Sequence, residues 1–288
     1  MIGELRLFVT PTYVAGAVAT LSSFHRHNPW FSGSVTVYAK ASEGESVAAA
    51  LAAIGGVTVS EISEDLTVAT ETADGSHPGW HSNHLLCLAT FADPSTDDVL
   101  IMDADLLFTG SVESLQHLPG EFVACPDRAV YLGLATDRET NEFVSRDAGS
   151  SAIARTFNSG LMRVSPPCLG PGMLQRILAL VTDDVIAPVL RPQNDQFILN
   201  RIFEDAWTDA GPEFNYLLRC PEAIVESTGC RLGDARVLHF NVGQRPWDTN
   251  SLTTVTDPRL ASASALWLRA YADCIEAAPL RVMHQAQR

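Results

Sequence analysis

Residues 99–105 read Val-Leu-Ile-Met-Asp-Ala-Asp, an apolar run that ends in two aspartates. Four consecutive apolar residues predict a short strand that is buried on both faces, as the strands of parallel sheets are. The two aspartates follow that strand, so we expect them at its C-terminal end. In open α/β sheets, ligands bind at this edge. The segment therefore predicts an α/β fold and the position of a functional site within it.

On the N-terminal side of this segment, strand-like and helix-like stretches alternate along the chain. Such alternation favours a mainly parallel central sheet with helices on both faces. The polar stretch Asp65–Pro78 is predicted to be a loop. The predicted strands are Leu5–Thr10, Ser34–Tyr38, Val57–Ser60 and Val99–Met102, and the predicted helices are Ala15–Phe24, Glu43–Ile54 and Trp80–Phe91.

The C-terminal half is more mixed and shows no repeat, linker or low-complexity tract. We therefore predict one domain spanning 1–288, with a first half at 1–110, a second half at 111–257, and a terminal helix with a tail at 258–288. The predicted strands here are Phe122–Cys125 and Leu161–Val164, and the predicted helices are Pro171–Val181, Asn194–Phe203 and Pro258–Ala277.

Bulk composition excludes several classes of protein. The 288 residues carry a formal net charge of −15, which disfavours binding to nucleic acid and to anionic membranes. We find neither a leader peptide nor a run of about 20 apolar residues, so we expect no membrane insertion. The six cysteines are widely spaced and form no CxxC pair, which is typical of free thiols in a reducing cytoplasm.

The two aspartates of the opening segment are candidate metal ligands. Residues two apart in an extended segment point to the same side, so Asp103 and Asp105 can converge on one cation. Ala104 faces away and leaves room. Carboxylates suit Mg²⁺ or Mn²⁺ that bridges phosphate oxygens. The alternative is that two acidic residues merely end a strand of an acidic protein.

A second polar side chain, His239, ends the short apolar run Val237-Leu238. A neutral imidazole is a suitable third ligand and favours Mn²⁺ over Mg²⁺. Arg245 follows in a glycine-containing turn, and its planar guanidinium can bind a diphosphate. The alternative is that His239 is a packed core residue.

Two further segments place polar side chains beside apolar runs. Asn158 and Ser159 precede a strand and are suited to hydrogen bonding with sugar hydroxyls, although a simple turn would also explain them. Asp195 and Gln196 open a helix, where an acidic residue is favourable to the helix dipole even without a catalytic role.

Taken in order, these segments resemble the family-8 retaining glycosyltransferases, which include glycogenin-like enzymes and bacterial lipopolysaccharide galactosyltransferases. The resemblance runs from about Leu7 to Trp247. It implies a glycosyltransferase-A-type fold with a Rossmann-like nucleotide-binding half, a UDP-sugar donor, Mn²⁺ and retention at the anomeric carbon. Its landmarks are Thr10 with Tyr13, the Asp-x-Asp, Phe157-Asn158-Ser159-Gly160, Asp195-Gln196, Phe214-Asn215-Tyr216 and the segment from His239 to Pro246-Trp247.

The resemblance also implies a role for each of these residues. Asp195 and Gln196 would lie by the anomeric carbon as the catalytic pair. The metal ligands would be Asp103, Asp105 and His239, and the donor-binding residues would be Thr10 and Tyr13 at the uridine, Asp127, Asn158 and Ser159 at the sugar, and Ala104, Gly243 and Arg245.

The sequence departs from the family pattern at two places. The glycine after the metal-binding histidine comes one position later, at Gly243, and an arginine, Arg245, replaces the usual lysine. Residues 80–84, before the Asp-x-Asp strand, offer histidines and an asparagine where the family often has a basic residue.

We therefore expect a retaining transfer of a hexose from a UDP-sugar to an unidentified, soluble hydroxyl acceptor, either through a covalent intermediate or by attack on the same face. The alternative is a non-catalytic sugar-nucleotide-binding protein of the same fold. A haloacid-dehalogenase-type phosphatase would need Thr or Val where Leu107 stands, and a lysine beyond Lys40, which is the only one. A nucleotidyltransferase would need a glycine-rich, arginine-containing loop in place of Thr10-Pro11-Thr12-Tyr13.

Overall fold

The strands of the protein are short, and most of them belong to one central sheet. They are taken from a computed structural model that describes residues 1–52, 54–76, 82–189, 194–248 and 257–285. In chain order the strands are β1 (Ile2–Phe8), β2 (Ser34–Ala39), β3 (Val57–Glu61), β4 (Asp98–Met102), β5 (Leu106–Phe108), β6 (Phe122–Pro126), β7 (Ala135–Asp137), β8 (Phe143–Val144), β9 (Ala152–Ile153), β10 (Phe157–Val164), β11 (Thr208–Asp209), β12 (Tyr216–Leu217) and β13 (Val237–His239).

Helices separate these strands. Short 3₁₀ turns also occur, among them Pro11–Tyr13 after the first strand and Cys87–Phe91 before the fourth. The α-helices are α1 (Val14–His27), α2 (Gly44–Leu51), α3 (Glu64–Ser76), α4 (Ser82–Leu86), α5 (Arg128–Tyr131), α6 (Pro171–Leu178), α7 (Asp183–Ile186), α8 (Asn194–Ile202), α9 (Pro221–Thr228) and α10 (Pro258–Gln285).

The central sheet has seven strands in the order β11-β6-β10-β4-β1-β2-β3. Strands β1 to β4 run parallel to one another, β11 runs parallel to β6, and β10 lies antiparallel to both of its neighbours. This confirms the predicted mainly parallel α/β sheet. Because β10 lies between β4 and β6, it carries its polar residues directly beside the aspartates that follow β4.

Strand β4 is covered on both faces, as its apolar sequence predicts. Val99 and Ile101 pack into one hydrophobic core, and Leu100 and Met102 pack into another on the opposite face. All four side chains are at most 4% exposed. Burying each such side chain contributes about 1.5–3 kcal/mol, so the strand that delivers the aspartates is held firmly in place.

The chain leaves the central sheet after β4 and enters a small second sheet. Strand β5 pairs antiparallel with β13, which in turn pairs parallel with β12. In this register His239 lies opposite Leu106, the residue after Asp105. The second sheet therefore brings a residue from late in the sequence to the Asp-x-Asp turn.

One predicted loop is wrong. The stretch predicted as Asp65–Pro78 forms helix α3, whereas its last two residues, 77 and 78, lie outside the described part of the chain. Leu66 and Thr70 are fully buried, and Ala69 packs against the same core. These positions are three to four residues apart and form one helix face. The surrounding acidic and threonine residues obscured that narrow apolar stripe.

Other boundaries shifted by smaller amounts. Of the helix predicted at Trp80–Phe91, Trp80 and His81 lie outside the described residues, while the rest forms α4 and the 3₁₀ turn Cys87–Phe91. The helix predicted to reach Val181 ends at Leu178, and the terminal helix extends to Gln285. None of the described helices has both the length and the apolar character needed to cross a bilayer. All six cysteines are free thiols, as expected.

Candidate active site

A cavity of about 680 Å³ opens at the C-terminal ends of β1 and β4. It lies at the sheet edge that the sequence predicts. The structure brings every residue of the predicted site to this one cavity. These lining residues are Thr10, Tyr13, Asp103, Ala104, Asp105, Asp127, Asn158, Ser159, Asp195, Gln196, His239, Gly243 and Arg245.

Three potential metal ligands converge at the base of the cavity. The Nε2 atom of His239 lies 3.2 Å from Oδ1 of Asp105 and 3.5 Å from Oδ2 of Asp103. The ligand atoms of all three residues lie within 4.8 Å of one another. His239 is almost fully buried, whereas the Asp103 side chain is 38% exposed and faces the opening. A ligand in the cavity can therefore reach carboxylate oxygens of both aspartates and the imidazole nitrogen of His239 at one place.

The charges of this trio are not balanced by the protein. Burial and the neighbouring Asp105 carboxylate raise the pKa of Asp103 to about 7. Burial would also raise the pKa of Asp105, but His239 holds it below the ordinary value. Burial would lower the pKa of His239, yet the two carboxylates raise it. Positive charge between Nε2 and the carboxylates, from a proton or a cation, therefore stabilises this arrangement.

A buried carboxylate oxygen of Asp105 indicates where a cation can bind. Oδ1 of Asp105 is inaccessible to solvent and lies 3.2 Å from Nε2 of His239, without a hydrogen bond of good geometry among the described residues. An isolated buried carboxylate oxygen is costly unless a cation or a donor meets it. Two carboxylates and one imidazole form a ligand set that suits Mn²⁺ and also accepts Mg²⁺. The residues present therefore fit a divalent cation.

A hydrogen-bond network joins this trio to Asn158 and Gln196 elsewhere in the cavity. Nδ1 of His239 lies 2.9 Å from Oδ1 of Asn215, and Nδ2 of Asn215 donates to Oδ1 of Asn158 over 2.7 Å. Nδ2 of Asn158 in turn donates to Oε1 of Gln196 over 2.9 Å. Beside this network, the Ser159 hydroxyl donates to the Asp195 carboxylate over 2.6 Å. Asp195 and Gln196 are thus held by Ser159 and Asn158, which precede them in the chain.

Gly160 lets the histidine approach β10. A methyl group at this position would lie 2.4 Å from Cε1 and 2.6 Å from Nδ1 of His239, which is far too close. The backbone amide of Asp103 also donates to the Gly160 carbonyl over 2.9 Å. The glycine therefore provides space for the imidazole and anchors the Asp-x-Asp turn.

Aromatic residues build the opposite wall. The guanidinium of Arg245 lies 4.4 Å from the ring centre of Tyr13, and Trp247 meets the same ring edge-on at 5.6 Å. Trp267 of α10 backs Trp247 at 5.5 Å and stacks on Tyr271. Burial and the Asp105 carboxylate raise the pKa of Tyr13 to about 12, so its hydroxyl stays protonated and can donate. This wall therefore presents the guanidinium of Arg245 and the aromatic ring of Tyr13 to the cavity.

Comparison with known proteins agrees with this geometry. The profile described as Glycosyl transferase family 8 matches residues 5–251. The chain belongs to this family. It is therefore a glycosyltransferase, and no curated protein matches it significantly.

Solved structures show that this family 8 glycosyltransferase has the glycosyltransferase-A fold. Its fold is similar to that of the galactosyltransferase LgtC in complex with donor and acceptor sugar analogues, at 14% identity and a TM-score of 0.67, covering 94% of this chain and 95% of that chain. It is also similar to GlyE of Streptococcus pneumoniae, at 16% identity and a TM-score of 0.58, covering 96% and 64%. At such identities the likeness concerns the fold alone.

In this family 8 member, the fold does not require a glycine at position 243, where the glycine of the family pattern is shifted by one residue. A methyl group at Gly243 would meet nothing within 4 Å, and its backbone torsion is not in the left-handed region. Gly243 nevertheless lines the cavity. A side chain here would therefore contact only a ligand, which separates its role from that of Gly160.

Sequence reasoning missed several residues in and behind the cavity. Asn215 was recognised as a family landmark, but it had no role until the structure placed it behind His239. Arg128 and Arg219 also line the cavity, and the position of Arg128 directly after Asp127 was the only signal for it. The other additional lining residues are Phe8, Thr12, Asn83, His84, Cys87, Asn241 and Val242.

Proposed function

We propose that this protein is a retaining glycosyltransferase that moves a hexose from a UDP-sugar to a hydroxyl acceptor and depends on Mn²⁺. The observation that carries the proposal is the convergence of Asp103, Asp105 and His239 in a cavity that also contains Asp195 and Gln196. A metal-ligand set beside a carboxylate and an amide suits the departure of a phosphate leaving group. A non-catalytic binding protein would have no need of Asp195 and Gln196 beside the metal ligands.

The metal trio and Arg245 would serve the leaving nucleotide. A divalent cation held by Asp103, Asp105 and His239 supplies positive charge beside the diphosphate as negative charge develops on its oxygens. Arg245 contributes a second cation, and its stacking on Tyr13 limits the conformations of its guanidinium. This arrangement lowers the cost of releasing UDP.

The nucleotide base would lie on the wall formed by Thr10 and Tyr13. The Thr10 hydroxyl is 3.0 Å from that of Thr12, so this turn presents polar atoms to the cavity. Tyr13 offers an aromatic face and a protonated hydroxyl. Ala104 lies between the two aspartates and is 5% exposed, so its small side chain leaves room for a bound diphosphate.

The donor sugar would occupy the other side of the metal trio. Asp127, Asn158 and Ser159 supply hydrogen-bonding groups to its hydroxyls, and all three line the cavity. The carboxylate of Asp195 and the amide of Gln196 stabilise positive charge at the anomeric carbon. Because Ser159 and Asn158 hold these two side chains, binding of the sugar and stabilisation of its charge use the same strand.

The acceptor is proposed to be a soluble hydroxyl compound and the compartment the cytoplasm. Six free cysteines, four of them buried, support a reducing compartment. The terminal helix α10 supports a soluble acceptor because its aromatic residues are engaged within the protein, with Trp267 packed on Trp247 and Tyr271 stacked on Trp267.

Nucleotide release tests the function directly. Purified protein is incubated with UDP-, GDP- and dTDP-sugars in Mn²⁺, and the liberated nucleoside diphosphate is measured without added acceptor. We expect slow hydrolysis of a UDP-sugar and its loss in Asp105→Ala. Release from every sugar nucleotide at the rate of the Asp105→Ala control would overturn the proposal in favour of a binding protein.

A further inference from the structure

The segment Phe214-Asn215-Tyr216 is not explained by the proposed function, although it resembles a family landmark. Asn215 is completely buried, lies behind the metal trio and does not face the cavity. Its side chain forms hydrogen bonds with two polar side chains, those of His239 and Asn158. A buried amide that links two other polar side chains indicates a defined task.

The direction of each hydrogen bond follows from one backbone group. The Gly160 amide can only donate, and it lies 3.0 Å from Oδ1 of Asn158. That atom must therefore be the carbonyl oxygen of Asn158, and the amide nitrogen must point to Gln196. Side-chain amide orientation is normally ambiguous, but a backbone donor removes the ambiguity here.

The same reasoning identifies the nitrogen of His239 that carries the proton. Oδ1 of Asn158 can only accept, so Asn215 must turn its NH₂ group toward it, at 2.7 Å. The carbonyl oxygen of Asn215 then faces Nδ1 of His239 at 2.9 Å. An acceptor at this position requires a proton on Nδ1. Nε2, which faces both aspartates, is left as the atom that can give its lone pair to a cation.

We propose that Asn215, oriented by Asn158, is a positioning residue that holds the proton of His239 on Nδ1 and thereby presents the Nε2 lone pair to the metal. The proposal rests on the proposed function for the identity of the cation. Groups that hold the second nitrogen of a metal-binding histidine commonly change metal affinity by one to two orders of magnitude.

The proposal links Asn158, on the sugar side of the site, to binding of the metal. Asn158 belongs to the sugar side and is not a metal ligand, yet it orients Asn215 and also holds Gln196. Loss of its side chain should therefore weaken Mn²⁺ binding. Loss of the adjacent Ser159 hydroxyl should not, because that hydroxyl bonds only to Asp195 in the described network.

The tautomer of His239 is the first test. Nitrogen-15 NMR of metal-free Asp103→Ala/Asp105→Ala protein, in which no carboxylate competes for a proton on Nε2, reports at alkaline pH which nitrogen of the neutral ring carries the proton; loss of the signal on adding His239→Gln assigns it. We expect Nδ1–H in this double variant and a shift toward Nε2–H when Asn215→Leu is added. Nε2–H as the main form of the double variant would overturn the proposal, even if the triple variant failed to fold.

Mn²⁺ affinity, measured by electron paramagnetic resonance, is the second test. We expect the dissociation constant to rise about 10- to 100-fold in Asn215→Leu, and to rise clearly in Asn158→Ala. Asn215→Asp keeps an acceptor oxygen at Nδ1 but loses the donor to Asn158, so it should retain the Nδ1–H form and bind Mn²⁺ more tightly than Asn215→Leu. Ser159→Ala is the matched control and should bind Mn²⁺ like the wild type.

The outcomes separate this proposal from the proposed function. Equal weakening in Asn215→Asp and Asn215→Leu would show that Asn215 is merely structural and overturn the proposal. Wild-type affinity in a folded Asn215→Leu variant would overturn it as well. A wild-type protein that binds no Mn²⁺ would remove the proposed metal, whereas the ring spectrum would still decide on Asn215.

Discussion

At the residue scale, the site depends on two glycines that do different things. Gly160 leaves space for the imidazole of His239, whereas Gly243 borders only the open cavity. Both occur beside polar residues in the sequence, so their local patterns look alike. The difference arises from what stands opposite each one in the folded chain.

We expect Gly160→Ala to abolish Mn²⁺ binding because the added methyl group would displace His239. Gly243→Ala should leave both Mn²⁺ affinity and the melting temperature unchanged and raise the KM for the nucleotide sugar. Metal titration, thermal melting and steady-state kinetics on the two variants test this. An unaltered KM in Gly243→Ala would show that the donor does not approach this turn.

Asp195 is the residue with the most specific catalytic expectation. Asn at this position can still accept the Ser159 hydroxyl bond, so the fold should persist while the negative charge is lost. We expect Asp195→Asn to lower kcat about a hundred- to thousand-fold, the usual effect of removing one stabilising group from a transition state. Near wild-type turnover would instead mean that Asp195 serves only as a favourable start to α8.

At the element scale, the pairing of β5 with β13 creates the metal site. The chain turns at Asp103–Asp105, leaves the central sheet and pairs antiparallel with the strand that ends at His239. The amide of Phe240 donates to the Asp105 carbonyl over 3.0 Å, which clamps the two segments together. Neither strand has more than three residues, so each depends on the other and on the helices that cover them.

Helix α10 supports the nucleotide wall from behind. Trp267 is 1% exposed and packs on Trp247, which contacts Tyr13. We expect Trp267→Ala to lower the free energy of unfolding by about 3–5 kcal/mol and to raise the KM for the donor. Leu268→Ala, at a 42% exposed position of the same helix, is the control and should change neither quantity. Denaturant melts and kinetics at a temperature where both variants are folded provide the comparison.

At the scale of the whole molecule, an acidic protein encloses a partly acidic cavity, for which we propose a divalent cation as ligand. A ligand that binds only the folded state stabilises it, by about 2.7 kcal/mol at one hundred times its dissociation constant. We therefore expect Mn²⁺ to raise the melting temperature of the wild type and chelation to reverse the rise. The Asp103→Ala protein should show no such response, and an equal rise in that variant would place the metal elsewhere.

The sequence by itself determined the α/β fold, the sheet edge that holds the site and many of the residues that line it. These features follow from local patterns, since the apolar run of β4 and the polar residues after it are read within a few positions. The division into halves at residue 110 stays a prediction, as do the roles of the individual site residues.

Only the tertiary structure decided how those residues work together. Helix α3 was missed because its apolar stripe is narrow, and burial against a distant core stabilises it. The nitrogen that His239 turns to the aspartates, the space that Gly160 leaves and the place of Asn215 all depend on contacts between segments far apart in the chain. Such contacts form when strands pair across the fold, and no local pattern of residues specifies them.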